Sequence, residues 1–118
     1  MNNSDEKYKV VIQLSDNDPS LQKATINQVN NILNALEDIQ IEVVLHSLGI
    51  HFLLQDNHLK SHIEQLHGKG VMFLVCRNAL NAQNLDQDTL LSFAEIIPSA
   101  VAHLIVRQAE GWSYLKIG

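Results

Sequence analysis

The chain has 118 residues, 46% apolar and 18% charged, the size and composition of one globular domain, with little room for a second. Its eight Lys and Arg are scattered and the formal net charge is −5, so neither nucleic acid nor an anionic membrane surface is an expected partner. With 5% aromatic residues, aliphatic side chains must fill the core.

Residues 1–7 are polar and read as a flexible tail with no apolar signal segment. YKVVIQL, 8–14, is a short β-branched run and the first expected strand. Pro19 then suits the first position of a helix capped by Asp18. Ile26, Val29, Ile32, Leu33 and Leu36 recur at helical spacing, with Asn27, Asn30, Asn31 and Asn34 mainly opposite. IQIEVVLHSLG supplies a second strand over 39–45, ending at His46 and Gly49. DNHLKSHIEQLH, 56–67, reads as a helix stopped by Gly68.

GVMFLVC, 70–76, is continuously apolar, as expected of an inner strand covered on both faces. Asp86 can cap a brief turn reaching Leu91. FAEIIPS carries a fourth strand that Pro98 ends. SAVAHLIVRQAE, 99–110, predicts a helix with Val101, Leu104 and Ile105 inward and Gly111 just past its end. WSYLKI closes the chain as an edge strand.

Strands alternating with helices predict a mostly parallel five-stranded sheet between helix layers, an α/β three-layer sandwich. In such folds ligands and reactive groups gather outside the carboxyl ends of the strands. No apolar run reaches the roughly 20 residues that span a bilayer. A single cysteine forms no internal disulfide and suits a reducing cytosol. The expected location is cytoplasmic.

Cys76 and His46 both fall at strand ends. A thiol reacts as its thiolate, which a helix amino terminus or a cation favours; here Arg77 follows directly and Asn78-Ala-Leu-Asn-Ala begins a helical turn. The plain alternative is a buried, inert cysteine. Six histidines invite a metal site, but His58 and His62 would share a helix face from which His67 points away. A closed zinc site also needs four ligands, and there is one cysteine, so no metal is expected.

A triad of Ser47, His46 and Asp16 or Asp18 lacks a nucleophile elbow, and neighbouring strand residues point to opposite faces. Gly68 and Gly70 precede a strand and fit neither a dinucleotide fingerprint nor a P-loop. No cofactor is expected.

YKVVIQL, IEVVLHSLGI, GVMFLVCRNAL and EIIPSAVAHLIVRQAEGWSYLKI, in this order from residue 8 to 117, resemble the DsrE/DsrF-like proteins of intracellular sulfur metabolism. The likeness is closest to their small, single-domain, largely uncharacterised branch. It implies a flavodoxin-like fold over the single domain 1–118 and a homo-oligomer, a trimer or a hexamer built from trimers. In the sulfur-relay branches a cysteine just after the third strand accepts sulfur as a persulfide and passes it to a partner protein. Cys76 matches that position, with Arg77 and Asn78 as candidate stabilisers of its anion. His46 matches a histidine at the end of the second strand and, with Ser47 and Gly49, would line the same crevice. The stretch after Cys76 departs from the small-residue, arginine-rich one of relay members, and Ser47 stands where many relatives have glycine.

Two functions follow as expectations. One is a sulfur carrier whose only reaction is sulfur transfer through Cys76, with donor and acceptor proteins as partners. The other is a non-catalytic oligomeric module that binds a small ligand or protein at the strand-end crevice through His46, Gly49 and Asn78. A redox sensor would need a resolving cysteine from another subunit. The apolar run GIHFLL, 49–54, is expected at a subunit interface, with a buried helical turn as the plain alternative.

Overall fold

The computed structural model describes residues 8–118, so the expected tail at 1–7 lies outside the described residues. Five strands, β1 (Tyr8–Leu14), β2 (Ile39–Leu45), β3 (Met72–Cys76), β4 (Glu95–Ile97) and β5 (Ser113–Ile117), alternate with α1 (Pro19–Ala35), α2 (Lys60–Gly68), α3 (Arg77–Ala82) and α4 (Ala100–Ala109). The sheet order is β4-β3-β2-β1-β5 and every pairing is parallel. In its layers and all-parallel sheet this is the expected flavodoxin-like α/β sandwich.

Chain handedness explains the layers. From β1 to β4 each strand is laid beside its predecessor in one direction, so right-handed crossovers put α1, α2 and α3 on one face. The last crossover runs back from β4 to β5, at opposite edges of the sheet, which puts α4 alone on the other face. Four strand spacings are about 19 Å and ten helical residues about 15 Å. One helix thus covers most of the sheet's width, and the segments at its two ends complete the crossing.

Local chemistry sets the boundaries. The Asp18 carboxylate accepts from the Ser20 N–H at 2.8 Å and caps α1, with Pro19 in its first turn. Ser99 caps α4 by accepting from the Ala102 N–H, and Gly111, at φ 92°, follows its end. Asp86 caps only a short 3₁₀ turn, Gln87–Thr89.

The helix expected over 56–67 begins later, at Lys60. The Asn57 side chain accepts from the Leu59 N–H at 2.9 Å and donates to the Phe52 carbonyl, a local turn that competes with helix. That helix runs through Gly68, and the left-handed residue beyond it is Gly70, at φ 99°.

The alternation of β1 and β2 divides the core. Val10, Ile12 and Leu14, level with Ile41, Val43 and Leu45, face α1; Phe73 and Val75 continue this row on β3. All eight are buried. Val11, Val44, Leu74 and Cys76 are buried on the α4 side. GIHFLL is buried within its own chain instead of at a subunit interface. Residues 47–53 wind into a 3₁₀ helix that buries Ile50, Phe52 and Leu53 completely, and Phe52 packs against Phe73.

The inward face of α4 also differs from the periodicity expectation. Ala100 and Leu104 are buried, whereas Val101 and Ile105 are 53% and 68% exposed, and Val106 is 50% exposed. The helix is anchored by polar groups. Glu42, on the middle strand and 2% exposed, accepts from His103 Nε2 at 2.7 Å and from Arg107 Nε and Nη2 at 3.0 and 2.7 Å. Arg107 also donates to Glu110 at 2.9 Å and lies 4.5 Å over the Trp112 ring. These charge-assisted bonds set the roll of the helix, leaving its apolar stripe outward.

Candidate functional site

The carboxyl ends of β2, β3 and β4 open into a crevice of about 250 Å³ lined by His46, Ser47, Cys76, Asn78, Ala79, Ser99, Ala100 and Val101. His46 and Ser47 follow β2, Cys76 ends β3, and Asn78 and Ala79 lie in the first turn of α3. Ser99, Ala100 and Val101 bring in the start of α4. Cys76, His46, Ser47 and Asn78 are thus gathered as the strand-end argument predicts.

Cys76 is 3% exposed, and its backbone occupies the cap position of α3, with no side-chain cap bond. The amide N–H groups of the first turn have no partner within the helix. The amino end of α4 lines the same crevice.

Arg77 and Gly49 are not among the lining residues. Arg77 is exposed and donates to Gln87 at 3.0 Å. Gly49 is buried against the end of β1. A Cβ at this position would stand 2.0 Å from the Leu14 carbonyl oxygen, so only glycine fits. That close approach seats the turn carrying His46, whose N–H donates to the same oxygen at 3.1 Å. Gln83 donates to the Ser47 carbonyl at 2.8 Å. Ser47 itself has φ 55°, a costly conformation for a residue with a Cβ. His46 Nδ1 is buried without a hydrogen-bond partner.

The sequence reading omits Ser99, Ala100 and Val101, which it treats only as a helix start. The signal was present: Pro98-Ser99 follows a strand, and strand ends are where sites form. It also leaves His51 and His103 unmentioned. His51 pairs with Gln83 at 2.8 Å, and His103 belongs to the Glu42 cluster. His58 precedes α2 instead of sharing its face with His62. Among the described residues no group of three His, Cys, Asp or Glu side chains is placed to hold a metal ion. No helix there is long and apolar enough to cross a membrane.

Comparison with known proteins agrees with this architecture. The profile of the DsrE/DsrF-like family matches residues 8–117. The chain belongs to the DsrE/DsrF-like family. A solved protein of unknown function from Methanobacterium thermoautotrophicum is 36% identical to this DsrE/DsrF-like chain. It superposes with a TM-score of 0.91, the match covering 93% of this chain and 99% of the other. A conserved protein of unknown function from Bacteroides thetaiotaomicron has the same fold at 14% identity and a TM-score of 0.70, over 98% and 100% of the two chains. No curated protein matches the chain.

Proposed function

We propose that this protein is a sulfur carrier that holds one sulfur atom as a persulfide on Cys76. The observation that carries the reading is the position of Cys76. It ends an inner strand inside a polar-edged crevice, with the amino ends of two helices beside it. Transfer from a donor persulfide, R–S–SH, forms the Cys76–sulfur bond, breaks the donor's S–S bond and releases R–SH. Passing the sulfur to an acceptor thiol reverses these steps, and neither direction needs a cofactor. Donor and acceptor proteins are the implied partners, and a reducing cytoplasm the implied setting.

Intact-mass spectrometry tests the proposal. After exposure to a persulfide donor, wild type is expected to gain about 32 Da, reversibly with reductant, and Cys76→Ser is expected to gain nothing. The low exposure of Cys76 favours a second reading, a module that binds a ligand in the crevice without chemistry. An unmodified wild type that also resists alkylation would select it. In that case His46→Ala and Asn78→Ala would impair function while Cys76→Ala would not.

The homo-oligomer implied by the family likeness is part of the same proposal. Val101, Ile105 and Val106 support it as an outward apolar stripe on α4. Light scattering at micromolar concentration is expected to give a trimer or hexamer; a monomer would remove this part of the reading.

A further inference from the structure

His46 and Cys76 are the two titratable side chains lining the crevice. The β2–β3 ladder is paired as far as Leu45 and Val75, and one step further along the two strands stand His46 and Cys76. Side-chain alternation then puts His46 on the same face as Glu42 and Val44, and Cys76 with Met72 and Leu74, which is the α4 face for both. Adjacent strands lie about 4.8 Å apart. The sheet itself therefore sets the two side chains on one face at neighbouring strand ends, with no hydrogen bond between Nδ1 and the sulfur in this state.

The imidazole is held with a ring nitrogen unused. The His46 N–H is bonded to Leu14, its carbonyl accepts from the Gly49 N–H at 2.9 Å, and the next carbonyl accepts from Gln83. The neighbouring Ser47 keeps its left-handed φ of 55°. Nδ1, by contrast, is buried and unpaired. Without a proton, Nδ1 presents a lone pair that no other group engages and that can accept one. Held backbone, strained neighbour and unpaired buried nitrogen recur where a site is built for a group that arrives later.

We propose that His46, through Nδ1, is the proton acceptor and donor for sulfur transfer at Cys76; the proposal rests on the sulfur-carrier reading. Nδ1 takes the thiol proton as Sγ attacks the outer sulfur of R–S–SH. The new S–S bond forms, the donor's S–S bond breaks, and its electron pair leaves on the R–S sulfur. The proton on Nδ1 then passes to that sulfur, giving R–SH and Cys76 persulfide with no net oxidation.

Rates of sulfur gain from glutathione persulfide, followed by intact mass at pH 7 and pH 9.5, test this on wild type and His46→Gln. Iodoacetamide alkylation is measured in parallel. His46→Gln is expected to slow both reactions by about 100-fold at pH 7, the scale of general acid–base catalysis. At pH 9.5 an ordinary thiol, with a pKa of about 8.5, ionises unaided, and most of the loss is expected to vanish. His46→Asn replaces His46→Gln if the latter folds poorly by circular dichroism.

Equal rates at pH 7, or a loss that persists at pH 9.5, would overturn the role of His46. Wild type that takes no sulfur yet shows His46-dependent, pH-rescued alkylation would remove the sulfur-carrier reading and leave the proton pairing standing. A wild-type thiol inert to both reagents would overturn both.

Discussion

Glu42→Ala is expected to destabilise the fold by about 3–5 kcal/mol, the scale for removing one partner of a buried ion pair. That corresponds to a fall in melting temperature on the order of 10 °C. Glu42 sits on the middle strand and accepts three hydrogen bonds from α4, the one helix on its face of the sheet. Truncation leaves a cavity under the helix and strips the partner from Arg107 and His103. Those side chains are 27% and 18% exposed, so water recovers part of their hydration, and the lower end of the range is expected. Glu42→Gln keeps the volume and should cost about half as much, because Arg107 retains Glu110 and the Trp112 ring. Urea denaturation checks both variants, with a shifted midpoint at unchanged slope. A loss below about 1 kcal/mol in Glu42→Ala would mean that the cluster acts as an ordinary surface pair.

The same carboxylate predicts a pH dependence. Burial alone would raise its pKa, but hydrogen bonds from Arg107 and His103, and their charges, outweigh burial and hold it below the ordinary 4.5. A carboxyl group depressed in the folded state adds stability that is complete above its unfolded pKa and is lost as pH falls through the folded one. The gap in stability between wild type and Glu42→Gln should therefore be full at pH 6 and narrow progressively below about pH 4.5. A gap that stays constant down to pH 3 would place the ionisation of Glu42 outside the folding balance.

The Glu42 cluster also marks where the sequence stops being legible. A glutamate inside IEVVL stands out only as a polar break in an apolar strand, and its partners lie 61 and 65 residues away. Periodicity places Val101 and Ile105 inward because it weighs only hydrophobicity. The actual roll of α4 is decided by a pairing that no local window contains. Strands and caps are different, since Asp18-Pro19, Ser99 and Gly111 act within a turn of themselves and were readable. Cys76 and His46 were readable as site candidates because strand-end positions follow from fold class alone. That they are neighbours on one face needed the β2–β3 register. The burial of Ile50, Phe52 and Leu53 shows the converse, because an apolar run cannot say whether its cover is its own chain or another.

The second large effect is expected at Gly49. Gly49→Ala would put a Cβ 2.0 Å from the Leu14 carbonyl oxygen and 2.7 Å from its carbon, where real Cβ contacts stay above 3.0 Å. Both obstacles are backbone atoms of a buried inner strand, so no rotamer change relieves the clash. The 3₁₀ helix must lift away from β1, loosening the bond from the His46 N–H to Leu14 and exposing part of Ile50 and Phe52. A cost of about 3 kcal/mol or more is expected, the upper part of the range for overpacking. It should register as a fall in melting temperature of about 10 °C or as loss of soluble protein. Gly68→Ala is the matched control. It lies in α2 with open space around its Cβ position, and alanine there should stabilise by about 0.5–1 kcal/mol. If Gly49→Ala survives folding, the lifted turn displaces His46, so Cys76 should lose reactivity without any change to Cys76 or to the His46 side chain itself. Wild-type melting and thiol reactivity in Gly49→Ala would show that the turn does not set the position of His46.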